Sequence, residues 1–471
     1  MSRPDQASLA PARPLTYRAL LARPGARPAF AAAAVARLSF GMAGLSLLLL
    51  VHQATGSFAA AGAAAGAFSA GTLTAPVKAR LMDRHGQRFT LPVLGLGAAA
   101  ALLAMTALGR AGVREAVPYI IAAATAGALI PPVGAAMRAR WAIIAGPGSD
   151  RERAYSLDAA TEETLFTAGP LLTGLTVTAA GPILPLLITA VLLAAGCVLL
   201  AAASAEPVAA AGTSADAGPP TDTPAPADMT AQADMTAQAD TTAAADTTAP
   251  ARARLRRGLA GPLAAPGFLT LLAIVLATSL GLGAVDVTIT ARAVAGHHPG
   301  AAGVILAAAS LGSAFGGLAW GRRRHHRRAS TQMTGLLVIM AAGLTLTAVA
   351  PDLVLAGVAL ALTGTVLAPS AVLSYLCAER LAGPGTEAST WVNTAWNAGV
   401  ASGLAVTGLA VAETGPTVPL LAGAAVLGAA AVAALARRPI FDTDPLATDP
   451  GPAKPAPGSD LAADAGAQPA A

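Results

Sequence analysis

The chain has 471 residues, of which 55% are hydrophobic and 12% are charged, with a formal net charge of +5. Soluble globular domains carry roughly 25% charged residues, so these charges are too few to cover a water-exposed surface of this size. The basic residues lie in short clusters between apolar segments, which argues against a single basic face for nucleic acid and is typical of membrane proteins. The composition therefore predicts a protein embedded in a lipid bilayer, with no nucleic-acid partner.

Twelve apolar segments are long enough to cross a bilayer as helices, which takes about 20 residues each. We number them span 1 to span 12, and they predict an all-α integral membrane protein. The predicted ranges are 29–51, 57–77, 90–109, 116–137, 155–177, 181–203, 267–289, 299–320, 332–350, 353–376, 388–411 and 416–436.

The lysines and arginines outside the spans are unevenly distributed. Twenty-six lie in the two tails, in the segment between spans 6 and 7, and at the loops after spans 2, 4, 8 and 10, whereas three lie in the opposite loops. Because cytoplasmic loops carry the excess of basic residues, we expect both termini in the cytoplasm and the spans in the cell membrane. We call the basic ends of the spans inner and the opposite ends outer.

The segment between spans 6 and 7 divides the chain into two six-helix bundles, at 29–203 and 263–436. Residues 204–262 are rich in Ala, Thr, Asp and Pro, contain repeated hexapeptides and show no apolar period. We therefore expect a disordered cytoplasmic linker there, a polar cytoplasmic tail at 1–28 and a disordered cytoplasmic tail at 437–471.

The two bundles share sequence features at a constant offset. Ala-Gly-Pro-Gly follows span 4 at 145–148 and span 10 at 382–385, and Pro132 and Pro369 are separated by the same 237 residues. Matched positions in spans of equal direction predict parallel repeats, as in transporters with two six-helix halves related by pseudo-two-fold symmetry.

The loop between spans 2 and 3 reads Asp-Arg-His-Gly-Gln-Arg at 83–88. This resembles motif A of the major facilitator superfamily at Asp83, Arg84, Gly86 and Arg88, although Ala79 replaces the usual glycine at the start. The resemblance implies two bundles around a central cavity, alternating access, and a latch that holds the halves together on the cytoplasmic side. Apart from the resemblance, Gly86 permits a tight turn, and a positive-inside loop with one acid is the alternative.

Span 5 contains Gly169, Pro170 and Gly174 in the order Gly-Pro-Leu-Leu-Thr-Gly. This segment is similar to the end of motif C, which is found in span 5 of superfamily antiporters, although the preceding glycines are missing. The resemblance implies export. The alternative is an ordinary helix kink with close packing.

Acidic residues lie at the inner third of span 5. Asp158 and Glu162 are four residues apart and share a helix face, while Glu163 lies about 100° further round. A charge near mid-bilayer costs at least ~2.5 kcal/mol and normally faces the protein interior with a partner. Arg37 in span 1 lies at a matching depth, so we expect it to pair with Glu162 or Glu163. Such a pair can serve as a proton switch or as a structural clamp.

Asp286 is a second intramembrane acid, in the outer part of span 7. It can be a proton or cation site, an outer gate that pairs with Arg292 or Arg114, or an interfacial residue. Arg138, near the inner end of span 4, can bind an anionic substrate or latch to Asp83.

Span 11 begins with an amide and aromatic patch of Trp391, Asn393, Trp396 and Asn397. Such a patch suits a bound organic molecule, while hydrogen bonds between helices and an interfacial tryptophan are the alternative. The four residues are therefore candidates for a substrate cavity.

The sequence has no phosphate-binding Gly-x-x-x-x-Gly-Lys-Ser/Thr motif and no cluster with metal-ligand spacing. We expect no cofactor, no bound metal and no enzymatic activity. The favoured function is proton-coupled efflux of a small organic molecule by a monomer. The alternatives are a nutrient importer, which needs dense polar residues on the cavity helices, and a non-transporting receptor or scaffold that acts through the linker.

Overall fold

The protein is described here from a computed structural model, and it forms a bundle of long helices. The described residues are 16–146, 149–203, 261–265, 267–321, 328–382 and 386–442. Eleven helices in this part of the chain are long and apolar enough to cross a membrane, which confirms eleven of the twelve predicted spans. Span 5 is one helix of 32 residues, but its acids leave it below that apolar limit, so its crossing of the membrane stays a prediction.

Most spans extend beyond their predicted ends, and spans 2, 4 and 10 are interrupted. The helices of spans 1 to 6 are Ala26–Thr55, Phe58–Gly71 with Ala75–His85, Gln87–Arg110, Ala116–Leu129 with Val133–Ala145, Ser149–Ala180 and Ile183–Ala203. The helices of spans 7 to 12 are Phe268–Ala295, Pro299–Gly321, Ala329–Val349, Leu353–Gly364 with Leu367–Ala382, Thr386–Thr414 and Thr417–Ala436.

The interruptions of spans 4 and 10 fall at matching places. Span 4 breaks at 130–132, which includes Pro131 and Pro132, and span 10 breaks at 365–366, just before Pro369. Proline removes a backbone donor and clashes with the preceding turn, so it interrupts the helix near these positions. The fourth helix of each half therefore bends at nearly the same point, as the predicted repeat requires.

The two halves meet at the outer ends of four spans. Gly62 of span 2 lies against the Leu404 carbonyl and Gly408 of span 11, with no room for a Cβ atom. Gly174 of span 5 lies equally close to Gly300 of span 8. Small residues allow this backbone approach between helices in a membrane. We call these contacts, with that of Gly303 on the Pro170 carbonyl, the outer seal.

Both predicted tails contain a short helix, so the predicted disorder of the tail at 437–471 does not include its first residues. The short helices Tyr17–Leu21 and Arg438–Asp442 each bury one large side chain, Leu20 and Phe441. Asp442 also accepts hydrogen bonds from the Ser330 backbone N–H at 3.0 Å and hydroxyl at 2.7 Å, at the start of span 9. Residues 1–15 and 443–471 of the tails, the linker over 204–260 and parts of the Ala-Gly-Pro-Gly repeat lie outside the described residues.

Candidate functional site

A cavity of about 700 Å³ lies between the two halves, and side chains of both halves line it. Pockets for small organic ligands typically have volumes of about 300–1,000 Å³. The cavity begins at the outer seal, where Leu404 lines it, and extends inward to Arg138 and Tyr375. Its charged lining residues are Arg138, Glu162, Glu163 and Asp286, and its aromatic and amide residues are Phe40, Phe68, Phe166, Tyr375, Trp396, Asn393 and Asn397.

Arg37 pairs with Asp158, and not primarily with Glu162 or Glu163 as the sequence suggested. Its two terminal nitrogens donate to the two Asp158 oxygens at 2.7 and 2.8 Å, and both side chains are at most 2% exposed. A planar guanidinium matches a carboxylate in this bidentate geometry. The prediction placed the pair too far outward because span 5 begins at Ser149 instead of 155, and because helical side chains lean toward the helix N-terminus.

Glu162 lies between two arginines. One of its carboxylate oxygens, Oε2, is 3.9 Å from Arg37 Nη2 and 3.9 Å from Arg138 Nη1. We call Arg37, Arg138, Asp158 and Glu162 the charge quartet, and its formal charges cancel. Arg138 thus faces Glu162 in span 5; the side chain of Asp83, its predicted latch partner, lies outside the described residues.

Glu163 lies next to the quartet in sequence but outside it in space. Its side chain is half-buried and lines the cavity. Among the described residues, its carboxylate has neither a hydrogen-bond partner nor an ion-pair partner. The pairing of Arg37 with Glu163 is therefore excluded in this conformation, and Glu163 faces the cavity alone.

Asp286 lies near the closed outer end of the cavity. Span 7 continues to Ala295, six residues beyond its predicted end, so Asp286 is well within the helix and not interfacial. Gly283, almost one turn earlier, packs against the backbone of Val400 and Leu404, next to the outer seal. In the part of the chain that the structure describes, no hydrogen bond or ion pair engages the Asp286 carboxylate, which lines the cavity.

Arg292 is not a gate partner for Asp286 in this conformation. Its guanidinium donates to the carbonyls of Thr347 and Ala350 at 2.7 and 2.6 Å. A cation at the carboxyl end of a helix satisfies carbonyls that have no partner within the helix. Arg292 therefore holds the outer end of span 9.

The patch in span 11 is divided between the cavity and the surface. Asn393, Trp396 and Asn397 line the cavity, and the Asn397 amide donates to Asn393 Oδ1 at 3.2 Å. Trp391 is 36% exposed and does not line the cavity, which corrects its assignment as a cavity residue. Residues 391 and 396 are five apart and so point to different sides of the helix.

The motif A loop forms the expected turn. Gly86 has φ 78° and joins Ala75–His85 to Gln87–Arg110, whereas Arg84 and Arg88 are exposed. Within the described residues, no hydrogen bond or ion pair joins either arginine side chain to the second half.

The motif C-like segment packs against spans 1 and 8. Gly169 lies against Gly41 of span 1, and the Pro170 carbonyl and Gly174 lie against span 8 at the outer seal. Sequence reasoning did not name the seal glycines Gly62, Gly300 and Gly303. The abundance of Ala and Gly in spans 2 and 8 is the signal that can find such contacts, although it does not identify the partners.

Two bundles of long apolar helices around a central, partly charged cavity are the architecture of a membrane transporter. The sequence profile of the Major Facilitator Superfamily matches residues 29–390. The chain belongs to this superfamily.

Solved structures of transporters share the fold at low sequence identity. The nucleoside transporter NupG has a TM-score of 0.60 and 12% identity over 88% of this chain and 99% of its own. An auto-inhibited POT family peptide transporter has a TM-score of 0.57 and 15% identity over 88% of this chain and 96% of its own. The human organic anion transporter TETRAN has a TM-score of 0.52 and 15% identity over 87% of this chain and 98% of its own. No curated protein sequence matches the chain.

Proposed function

We propose that the chain exports a small organic molecule in exchange for protons, as a monomer in the cell membrane with both termini in the cytoplasm. The observation that carries this proposal is that Glu163 and Asp286 line a mostly apolar cavity without partners among the described residues. Intramembrane acids of this kind mark ion pathways and proton relays. Asp158 is not a candidate because Arg37 holds both of its oxygens.

The lining of the cavity supports the type of substrate, and the outer seal supports the direction of transport. The cavity surface is mostly apolar, and several hydroxyls in its lining donate to carbonyls of their own helices, which favours an organic molecule with a large apolar part. The motif C-like segment contributes Pro170 and Gly174 to the seal, as its resemblance to antiporters suggests. The transporters of similar fold are described as nucleoside, peptide or organic anion transporters, so the lining of the cavity and not the fold must determine the substrate.

The test is proton movement in inverted membrane vesicles with an acidic lumen, from cells that express the protein. Addition of a transported compound should drive protons out of the lumen as the compound enters it. We expect Asp286→Asn and Glu163→Gln to abolish or strongly reduce this flux. Glu162→Gln should reduce it less, because the arginines already engage Glu162.

Two exposed acids provide matched controls. Glu413 ends span 11 and Asp352 precedes span 10, both outside the cavity, so Glu413→Gln and Asp352→Asn should transport like the unaltered protein. Compound uptake without proton movement would contradict the coupling. Uptake that is unchanged in both cavity variants would show that these carboxylates have no part in exchange.

A further inference from the structure

We infer that the cavity selects organic cations and holds their positive group at Asp286, near the closed outer end. This inference rests on the proposed function only in naming the transported class, because charge selection can be measured without a proton gradient. It follows from the balance of charges in the lining, from the depth of Asp286 and from the surfaces between Asp286 and the inner end of the cavity.

The cavity wall carries an excess of negative charge. Among the described residues, three carboxylates and one guanidinium line it, so the formal charge of this part of the wall is negative by two when all four groups are ionised. The guanidinium of Arg138 faces Glu162 at 3.9 Å, and Arg37 behind it is bound by Asp158. An anion would have to displace one of these carboxylates, whereas a cation meets Glu163 and Asp286 directly.

Asp286 lies far from the amide groups of span 11. Gly283 of span 7 packs against residues 400–404 of span 11, and Gly399 of span 11 packs on the backbone of Leu276 and Leu280 of span 7. The two spans therefore run in parallel, and a residue of span 7 is level with the residue of span 11 whose number is about 120 higher. Residue 286 is then level with a position about nine residues beyond Asn397. At 1.5 Å per residue, this places Asp286 about 13 Å further outward than the Asn397 amide.

The wall between these two levels is apolar and partly aromatic. Phe40 and Phe166 of the first half line it, together with aliphatic side chains such as Leu282 and Val285 of the second half. Aromatic faces attract cations and also contact apolar groups. The geometry therefore fits an amphipathic ion with its positive group at the closed end and its apolar body toward the inner side.

The test compares two probes of the same shape and opposite charge, tetraphenylphosphonium and tetraphenylborate. Their equilibrium binding to the purified full chain in detergent should favour the phosphonium by at least about tenfold, which corresponds to ~1.4 kcal/mol. Asp286→Asn should lower phosphonium affinity by a similar factor and leave borate affinity unchanged or higher. Asp286→Glu, which keeps the charge, should retain the preference, and Asp352→Asn should bind both probes as the unaltered chain does.

Equal binding of the two probes, a preference for the borate, or an Asp286→Asn variant that keeps its phosphonium affinity would overturn the inference. The proposed function fails separately. If the phosphonium binds through Asp286 but no compound drives protons, cation selection stands and proton-coupled export does not. If a neutral or anionic compound drives protons while the phosphonium does not bind, export stands and cation selection does not.

Discussion

The two halves of this transporter contain buried acids in opposite settings. In the first half, Asp158 is bound by both terminal nitrogens of Arg37, and neither side chain is more than 2% exposed. In the second half, Asp286 lines the cavity with no partner among the described residues. Burying a charge is costly unless it is paired, so the first setting suits a permanent clamp and the second suits an exchangeable ligand.

The largest effect is expected at the clamp. Asp158→Asn leaves the buried Arg37 guanidinium without its carboxylate, and loss of one partner of a buried pair costs about 3–5 kcal/mol. The free energy of unfolding in detergent, from denaturant titration, should fall by this amount. The double variant Arg37→Met with Asp158→Leu should recover most of it, because no uncompensated charge remains. A single variant as stable as the unaltered protein would show that the pair is not a clamp.

A smaller effect is expected at the outer seal, which closes the cavity at about the level of Asp286. Gly303→Leu places a side chain against the Pro170 carbonyl and should favour separation of the outer ends. Ser310 lines the cavity, and Ser310→Cys provides a site for an impermeant maleimide added from the outer side. In the Gly303→Leu background this cysteine should react about tenfold faster, because a loss of ~1.4 kcal/mol of packing at the seal changes the open population by that factor. The native Cys197 and Cys377 are buried and give a low background.

The control for the seal is Gly335→Leu, because Gly335 is exposed in span 9 and has open space around it. Labelling at residue 310 should be unchanged in that variant. If both leucine variants label alike, the seal glycines do not hold the outer side closed.

Glu162 lies between the two extremes. Its side chain is 28% exposed as a whole, but the Oε2 atom that lies 3.9 Å from both arginines is buried and accepts no hydrogen bond, so its ion pairs are longer than that of Asp158. Glu162→Gln should therefore lower the free energy of unfolding by less than Asp158→Asn does, because it removes no bidentate hydrogen-bonded pair. A loss as large as that of Asp158→Asn would mean that the quartet acts as one unit, and the division between clamp and cavity would then be wrong.

Local sequence properties predicted the spans but not the contacts between them. Apolar length is a local quantity, so eleven of the twelve spans were confirmed. The partner of Arg37 was wrong because a six-residue error in the start of span 5 changes the depth of every residue counted from it. The place of Asp286 in the cavity wall depended likewise on the true end of span 7.

Contacts between the two halves could not be predicted at all. Gly62 contacts Leu404 and Gly408, which are more than 300 residues away in the sequence. Many other glycines have similar neighbours in the sequence, so the sequence does not indicate which of them make such contacts. Motif A, by contrast, could be identified because its residues are contiguous. Its turn at Gly86 appears as expected, whereas its role as a latch between the halves stays a prediction.

The most direct test of the account is to measure the unfolding free energy and the compound-driven proton flux of Asp286→Asn on the same preparation, beside Asp158→Asn. We predict that Asp286→Asn is as stable as the unaltered protein or more stable, because it breaks no ion pair among the described residues, yet moves few or no protons when compound is added. An Asp286→Asn protein that loses as much stability as Asp158→Asn, or that keeps full proton flux, would contradict the division between a structural and an exchanging carboxylate.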